Sequence, residues 1–568
     1  MARLSCGCLS LKLITIRSSG HKFVGHFAFR HSPRKQKSPP LRPSAARIML
    51  SISVLAQELS WLQLTFLAIA AVSSLATVRF VVNFLHKSYQ VRHLPGPKAS
   101  SLLLGHTYVY SLDTLGRAAK WHIHGDYPEP FLGWIKQFGN VILHREMFNY
   151  AVIFSDPKAI QHVLVSNARN YPRDPIVSSF ISNSVLGHGL LSTEGSVHDG
   201  YRKMLNPLFT AQHVKTFVPI YDHQARLACS EVLAKAATSG QVLNLSDVFC
   251  NLTLRVIGLA GFGFDFQNDL EARQAYNNAQ LVPDTLVLVG TRLIPGFLDW
   301  PLPSLRRRRE AQDKLSQVVN DVIGHKLASS KKEGGQDLLD LILPQSTPEE
   351  AIVHTMTFLL AGHETSSSAL GWTFVNVMKY PHVAAQIRRE YHDVLARFGS
   401  FSSYEAVGEL KVAHSVLQET LRLNPVAPRG RRVSVSDDNV PCLMEVKSLF
   451  QAYGSIIEIY MVAMHRHPKY WANPEAFIPE RFLDGTPAWN ADLALRDGKP
   501  HAYYFLPFSV GSKSCIGQRF SLLEMQLFVA MFVGQFDFKL GPDADTGVKY
   551  NNATIKPVRV TAHVSFAK

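Results

Sequence analysis

Cysteine and charge are both scarce in this 568-residue chain. The six cysteines follow no regular spacing, which argues against a disulfide-stapled secreted protein. No Cys-x-x-Cys or His-x-x-x-His spacing indicates a zinc site, no internal repeat occurs, and no flavin or nicotinamide fingerprint appears. Charged residues make up 18% of the chain and hydrophobic residues 46%, so a large buried core is possible.

The net charge of +15 is concentrated at the amino terminus. Residues 1–48 contain ten lysines and arginines and no acidic residue, so the rest of the chain carries only about +5. That balance is no electrostatic footprint for nucleic acid, and we expect no nucleic-acid partner. The basic, serine-rich composition predicts a leader over 1–48 that is either disordered or absent from the mature protein.

An apolar stretch follows the leader and predicts a membrane anchor over residues 49–86. Only small polar side chains interrupt 61–78, and with Arg79 at the interface the run is long enough for a bilayer of ~30 Å. A buried core helix is the alternative. Basic residues follow the run and Glu58 precedes it, so the positive-inside rule places the rest of the chain in the cytosol. Residues 87–100 then form a basic and proline-rich linker.

The basic leader conflicts with this topology, because its positive charges would have to cross the membrane. Two resolutions stay open. In the first, which we favour, Met49 is the working start of the protein. In the second, Met1 is the start and the leader directs the protein to mitochondria.

Helical periodicity dominates the chain beyond residue 101. The predicted helices cover 211–235, 243–260, 310–330, 349–379, 381–398 and 404–423, and short strands cover 150–154 and 455–460. The fold class is therefore mainly α with small β-sheets (α+β), in a single large domain over 101–568. One apolar run, 441–454, gives no turn signal before Gly454, and we interpret it as an insertion or an artefact of the gene model.

A turn-rich loop over 508–517 carries one cysteine, Cys515, just before an apolar helical run. Backbone N–H groups and the helix dipole at such a place lower the pKa of a thiol and stabilise a thiolate. The thiolate is then a nucleophile or a metal ligand; the alternative is a buried structural cysteine.

A second unusual segment lies within the predicted helix 349–379. Gly362 weakens that helix by ~1 kcal/mol relative to alanine. Glu364 is a carboxyl group among apolar neighbours, where it needs a partner or a proton, and the hydroxyl of Thr365 follows it. Local rules broken together indicate a functional site, although a kinked core helix is the alternative.

The cysteine loop resembles the haem-ligand loop of the cytochromes P450, whose pattern is Phe-x-x-Gly-x-Arg-x-Cys-x-Gly. Phe508, Gly511, Cys515 and Gly517 match that pattern, and Lys513 stands where the family has arginine. The resemblance implies the cytochrome P450 fold and haem b, with Cys515 as the iron ligand. It further implies that Phe508 shields the sulfur, that Gly517 allows close approach to the haem, and that Lys513 pairs with a propionate.

The segment 361–366 is similar to the oxygen-activating helix of the same family and fits it at every position. The resemblance implies that Gly362 lets the helix open and the haem approach. It also implies that Thr365 supplies a hydroxyl and that Glu364 relays protons during the activation of dioxygen.

Further positions carry family roles only through the resemblance, because alone each is a common surface pair. His198 and Arg202, four residues apart on one helix face, would donate to the haem propionates. Arg432 is another propionate candidate, with Arg429 and Arg431 as alternatives.

Glu419 and Arg422 resemble the family's Glu-x-x-Arg pair. With Arg481 they would form a buried structural network on the cysteine side of the haem.

The implied function is that of a microsomal, fungal-like monooxygenase, single-pass in the endoplasmic reticulum membrane. It would take electrons from a separate NADPH-cytochrome P450 reductase and insert one atom of dioxygen into a small apolar substrate. The largely apolar segments 183–191 and 281–297 would line the substrate pocket. Alternatives are a haem-thiolate isomerase or dehydratase, against which Glu364 and Thr365 count, and a non-catalytic haem-binding protein.

Overall fold

A computed structural model describes most of the chain beyond residue 60. The described residues are 61–99, 101, 105–106, 127–266, 268–279, 287, 290–291, 294, 296–328, 337–442, 448–451, 454–551 and 554–568. The predicted leader 1–48 and the first part of the predicted anchor lie outside this range. The described chain divides into two units, Met1–Phe80 and Val81–Lys568, which we describe separately.

The described α-helices are, in chain order, α1 (Trp61–Val91), α2 (Phe131–Phe138), α3 (Pro157–Gln161), α4 (Pro175–Ser184), α5 (Gly195–Leu205), α6 (Ala211–Val214), α7 (Val218–Ala228), α8 (Ala234–Ser239), α9 (Leu245–Phe262), α10 (Leu270–Ala279), α11 (Pro303–Ala328), α12 (Leu338–Ile342), α13 (Pro348–Lys379), α14 (Pro381–Phe398), α15 (Tyr404–Gly408), α16 (Lys411–Leu423), α17 (Met461–Met464), α18 (Pro487–Leu495) and α19 (Gln518–Gln535). Short 3₁₀ and π turns join several of them. Each helix predicted from periodicity is present, with 211–235 and 404–423 divided into shorter pieces.

The described strands are β1 (Val141–Glu146), β2 (Asn149–Phe154), β3 (Leu243–Asn244), β4 (Gly430–Val433), β5 (Asp438–Pro441), β6 (Ser448–Gln451), β7 (Ile456–Ile459), β8 (Phe536–Leu540), β9 (Asp545–Asn551), β10 (Thr554–Arg559) and β11 (Thr561–Phe566). They form four small sheets with the orders β1-β2-β7-β4, β9-β10, β3-β11-β8 and β5-β6. Within the first sheet, β2 runs parallel to β7 and the other pairs are antiparallel. The predicted class, mainly α with small β-sheets, is confirmed.

Helix α1 is the predicted anchor, and its bounds differ from the prediction at the carboxyl end. It continues to Val91, five residues beyond residue 86, because the residues after the apolar run also favour a helix. By length and composition it could cross a membrane, and its apolar residues are exposed. Helix α9 passes the same test, but most of it is buried, as expected for a core helix.

The predicted linker ends in a segment that pairs with the first sheet. The carbonyl of Pro95 accepts a hydrogen bond from the backbone N–H of Leu143, 2.8 Å away, in β1. A side chain at Gly96 would collide with the carbonyl oxygen of Leu143. Residues 95–96 therefore lie against β1 as part of the catalytic unit, which a freely moving linker would not do.

Helix α13 forms the centre of the helical core. Its start is fixed by a capping box in which Thr347 and Glu350 satisfy each other's backbone N–H groups, with Pro348 at the first helical position. The helix then runs unbroken for 32 residues, twenty of which are buried. Helix α9 packs against it, with the rings of Phe249 and Phe374 4.8 Å apart. Helix α19, which follows the cysteine loop, is almost entirely buried in the same core.

The apolar run 441–454 includes strand β6, which pairs antiparallel with β5. The two strands form a small separate sheet, and the residues between them, 443–447, lie outside the described part of the chain. Gly454 has a φ of +75°, which provides the turn into β7. The run therefore supplies the strand and turn that the sequence pattern did not reveal.

Candidate functional site

The cysteine loop is a tight turn that presents Cys515 at the start of α19. The backbone N–H of Cys515 donates to the carbonyl of Phe508 at 2.8 Å and closes the loop. Gly511 has a φ of +75°, and a side chain there would collide with the carbonyl oxygen of Leu164. Glycine is therefore required at this turn both by its conformation and by the close approach of a neighbouring backbone.

Cys515 is an exposed residue, yet the surrounding protein desolvates its thiol. Desolvation raises the pKa of the thiol, whereas the Gly517 N–H and the Arg202 guanidinium lower it. The predicted net lowering is wrong for the protein alone, because desolvation outweighs the helix start. A metal ion bound to sulfur would reverse this balance, since coordination deprotonates a thiol.

A cluster of cations lies beside this loop. The ammonium of Lys513 is 2.7 Å from Oε2 of Glu194, and a guanidinium nitrogen of Arg173 is 3.3 Å from Oε1 of the same carboxylate. Arg173 also forms an isolated β-bridge with Arg432. Sequence analysis missed Arg173 and Glu194, because only the folded chain brings residues 173, 194, 432 and 513 together.

Strand β4 contains Arg431 and Arg432. Of these two, Arg432 has no ion pair with any carboxylate in the described residues. One guanidinium nitrogen donates to the carbonyl of Arg431 at 2.8 Å, and burial lowers the pKa of Arg432 to about 10. Its neighbour Arg431 instead pairs with Glu146 at 2.7 Å and with Glu458 at 3.0 Å. The structure therefore separates the three arginine candidates and leaves Arg432 available for an external anion.

Arg429 and Arg431 belong to a different cluster, within the first sheet. His144, Glu146 and Glu458 lie close enough together to suggest a metal site. Both arginines approach the same carboxylates, with Arg429 3.8 Å from Glu146 and 3.7 Å from Glu458. Cations already balance these acids, so the cluster is an ion-pair network.

Helix α5 brings His198 and Arg202 to the region of the cysteine loop. His198 is 1% exposed, and its Nε2 is buried without a hydrogen-bond partner in the described residues. Arg202 donates to the carbonyl of Ser514 at 2.6 Å and to its hydroxyl at 3.2 Å. Arg202 thus contacts the residue that precedes Cys515, and His198 presents an unused ring nitrogen.

On helix α13, the Thr365 hydroxyl donates to the carbonyl of Ala361 at 2.7 Å. The hydroxyl keeps its oxygen lone pairs available as an acceptor. Glu364 is 7% exposed, and its carboxylate bonds to the hydroxyl of Thr554 at the start of β10. A partner from a strand 190 residues away could not be found from the sequence.

Gly362 has a packing role that differs from the one implied by the resemblance. A β-carbon at Gly362 would lie 3.0 Å from a side-chain carbon of Ile257 in α9, so the glycine allows the two helices to approach closely. The helix does not open at this point. The next residue, His363, also faces helix α9. Its ring lies 2.9 Å from the sulfur of Cys250 in that helix and 2.7 Å from the hydroxyl of Tyr276.

The structure also brings Glu419, Arg422 and Arg481 together. Arg422 forms a two-pronged pair with Glu419 at 2.7 and 2.8 Å, and Arg481 lies 3.3 Å from the same carboxylate. All three are at most 1% exposed. The remaining guanidinium N–H groups of Arg422 donate to the carbonyls of His465, Pro474 and Ala476.

The network extends to two residues that sequence analysis missed. Asp492 pairs with Arg481 at 2.9 Å, and Arg496 lies 3.6 Å from Asp492. Arg422 and Arg496 both lie over the ring of Trp471, at 5.2 and 4.1 Å from its centroid. Asp492 and Arg496 are spaced i, i+4, but that pattern is too common on helices to identify them.

Comparison with known proteins decides the family. The cytochrome P450 family profile matches residues 127–562, more than half of the chain. The chain belongs to the cytochrome P450 family. It is 25% identical over 518 residues to cytochrome P450 monooxygenase 205 of Postia placenta, an alignment that covers 82% of this chain and 90% of the relative.

Two further relatives come from Gibberella zeae and Homo sapiens. Cytochrome P450 monooxygenase FSL4 of Gibberella zeae is 26% identical over 83% of this chain and 86% of its own length. Human cytochrome P450 3A5 is 28% identical over 78% of this chain and 90% of its own length. The relatives from Postia placenta and Gibberella zeae carry the word monooxygenase in their names. As a member of this family, this P450 is a haem-thiolate monooxygenase with haem b as its cofactor.

The residues of this P450 fit a dianionic haem. Lys513, Arg173 and Arg432 face one carboxylate, Glu194, which leaves an excess of positive charge among the described residues. The unused Nε2 of His198 adds a buried polar atom that needs a partner. Two propionates would satisfy the excess of partly buried cations, and they would bond Nε2 of His198 once the ring is protonated, because Nδ1 already bonds the Asp199 carboxylate.

Proposed function

We propose that this P450 is a membrane-anchored monooxygenase that takes electrons from a separate NADPH-cytochrome P450 reductase and oxidises a small apolar substrate. The thiol of Cys515, desolvated just before the start of α19 and flanked by cations, is the observation that carries the proposal. The thiolate of Cys515 would hold the haem iron. The haem supplies the iron at which dioxygen is reductively activated.

On this proposal the cations beside the loop bind the cofactor's carboxylates. Arg432 has donors that the described residues leave unused, His198 has an unused ring nitrogen that donates when the ring is protonated, and Lys513 is a point charge at the loop itself. Arg202 supports the loop through Ser514 and lowers the pKa of the Cys515 thiol. The backbone N–H of Gly517 faces the sulfur. Beyond its own chain neighbours, no atom of the described residues lies within 4 Å of a β-carbon built at Gly517, which leaves room for a flat ligand.

Thr365 and Glu364 supply the proton chemistry. The Thr365 hydroxyl is oriented by its bond to Ala361 and can accept a further hydrogen bond. Glu364 is nearly buried and bonded to Thr554, so it can take up and pass on a proton where bulk water does not reach. A hydroxyl and a titratable carboxyl group on adjacent residues of one helix are the parts that proton delivery needs.

The substrate would enter beside helix α4. A cavity of about 890 Å³ lies between α4 and α11 and is lined by residues of the predicted pocket segment, including Asn183, Leu186 and His188. The second predicted segment, 281–297, lies largely outside the described residues. The lining also includes Ser178, Ser182 and Gln312, but most of the lining surface is apolar, which suits an apolar substrate.

The proposed location is the endoplasmic reticulum membrane, single-pass, with the catalytic domain in the cytosol. Support comes from the length and exposure of α1 and from the basic residues that follow it. The proposed division is a leader over 1–48, an anchor over 49–86 whose helix continues to Val91, a linker over 87–100 and a catalytic domain over 101–568. A localisation experiment that found the protein in mitochondria would overturn this proposal.

The experiment is turnover by the protein purified without its anchor. With NADPH, reductase and dioxygen, we expect oxygenated products from apolar compounds that change the haem spectrum on binding. Omission of reductase should abolish the product, and ¹⁸O₂ should place one labelled atom in it. Conversion of an organic hydroperoxide without reductase, and no labelled product with it, would instead identify an isomerase or dehydratase.

A further inference from the structure

Glu194 is an acid in a cluster where the bound cofactor itself brings negative charge. It is the residue directly before helix α5, which carries His198 and Arg202. Its side chain makes no capping hydrogen bond to that helix. Instead it faces Lys513 and Arg173, two cations from distant parts of the chain.

We propose that Glu194 is a positioning residue that directs Lys513 and Arg173 at the rim of the haem site and offsets one of their charges, so that it lowers the haem reduction potential. This inference rests on the proposed placement of Lys513 beside the propionates. Glu194 is not part of the P450 sequence motifs, which assign it no role in tuning the haem.

The geometry shows a fixed unit of two cations around one acidic residue. Oε2 of Glu194 lies 2.7 Å from the ammonium of Lys513, while Oε1 accepts from the Arg173 side chain at 3.3 Å and from its backbone N–H at 3.2 Å. Both cations also donate to the carbonyl of Thr193, at 3.3 and 3.4 Å. Each cation therefore has two acceptors on the same short segment.

Lysine stands at position 513, where the family motif has arginine, and this difference explains why Lys513 needs a partner such as Glu194. Arginine at position 513 would present a rigid, planar fork that fits a carboxylate in one orientation. Lys513 is a point charge on a flexible stem with three rotatable donors, so it needs a second contact to fix its direction. The side chain of Lys513 is only 12% exposed, and within that space Glu194 provides the contact.

The charge of Glu194 also acts on the cofactor's redox equilibrium. Reduction of the haem adds one electron, and a nearby negative charge opposes it. The site is partly buried, so solvent screens this interaction less than it would at the surface. Removal of the charge should therefore favour the ferrous form, and removal of the Lys513 charge should favour the ferric form.

The test is a potentiometric titration of the purified holoenzyme and its variants. We expect E194Q to shift the potential to more positive values, by an amount that changes the ferrous-to-ferric ratio several-fold, and E194D to stay near the wild type. K513M should shift it in the opposite direction, and the double variant should return towards the wild type. E231Q, which removes the acid of an exposed pair with Lys235, is the matched control and should leave the potential unchanged.

A second measurement reports on positioning without redox chemistry. Haem release to an excess of a haem-scavenging protein should be several-fold faster in E194Q than in E231Q, and E194D should restore the slow rate. If K513M shifts the potential while E194Q changes neither the potential nor the release rate, the inference about Glu194 is wrong. If neither variant shifts the potential, Lys513 does not face the haem, and the proposed placement fails instead.

Discussion

Two buried charge clusters on this P450 differ in how completely their charges are paired. In the first, which we name the closed network, Glu419, Arg422, Arg481, Asp492 and Arg496 pair with one another and with backbone carbonyls. In the second, the open cluster, three cations share a single carboxylate. The open cluster consists of Arg173, Glu194, His198, Arg432 and Lys513.

The difference teaches where to look for a ligand. In the closed network both acids are fully paired and, among its described members, only one nitrogen of Arg496 lacks a hydrogen bond, so its role is to hold segments of the chain together. An open cluster costs free energy in the protein alone, because a desolvated cation and an unused ring nitrogen lack partners. Unpaired charge beside the Cys515 loop is therefore a better indicator of the cofactor than the ion pairs that the family motif also contains.

The largest expected effect comes from breaking the closed network. Arg422→Ala leaves Glu419 buried without its two-pronged partner, and we expect a loss of about 3–5 kcal/mol in unfolding free energy together with loss of haem incorporation. Urea unfolding and haem content measure the two effects. Arg397→Ala, at an exposed pair with Glu409, is the control and should cost less than about 1 kcal/mol. Equal effects of both variants would contradict the distinction between buried and exposed pairs.

A substitution in the open cluster should reduce haem binding but have little effect on the stability of the apoprotein. Arg432→Met removes a desolvated cation that has no ion pair in the described residues, so the unfolding free energy of the apoprotein should change by less than about 1 kcal/mol. Haem occupancy should nevertheless fall severalfold, because a propionate partner is lost.

The neighbouring Arg431→Met provides the matched control for Arg432. It removes the nearest cation of Glu146 and Glu458, which keep only the longer contacts to Arg429 and the bond to His144, and should destabilise the apoprotein by several kcal/mol. Full haem occupancy in Arg432→Met would show that this arginine does not face the cofactor.

The pH dependence of stability sharpens the description of the closed network. Burial, and next the nearby Arg422, lower the pKa of His465 to about 3. The unfolded chain binds this proton near pH 6.5 and the folded chain does not, so unfolding free energy should fall as pH decreases from 6.5 towards 3. Urea unfolding at pH 7 and pH 5 measures the change. His465→Asn should reduce this pH dependence, and an unaltered slope would exclude His465 as its source.

The smallest expected effect is that of Lys513→Arg. Arginine restores the family residue and keeps the charge, so haem content and the spectrum of the carbon monoxide complex should stay close to the wild type. Absorbance of the purified variant is sufficient to check this. Marked haem loss would show that the loop geometry here differs from that of the family.

Sequence analysis identified the residues that follow local patterns. The loop around Cys515, the segment around Thr365 and the pair Glu419–Arg422 are contiguous motifs, and the structure places each on the expected element. Cys515 itself shows the limit, because burial reverses the expected shift of its pKa.

The partners of these residues could not be predicted. Glu194, Thr554 and Asp492 meet their partners only after long stretches of chain have folded, and none belongs to a recognisable motif. Gly362 illustrates a contact that the motif did not reveal: its close approach to Ile257 adds a packing reason for glycine to the proposed role toward the cofactor, which stays a prediction. Local pattern reveals which residues matter, whereas their charge balance depends on tertiary contacts.

The carbon monoxide difference spectrum of the reduced protein tests the central claim, that Cys515 binds the haem iron as a thiolate. The wild-type protein should show the red-shifted band of a thiolate-ligated haem, and Cys515→Ser should lose it together with monooxygenase activity. Cys250→Ser, at a cysteine that contacts His363, should retain the band. A Cys515→Ser protein that kept both the band and the activity would contradict the account.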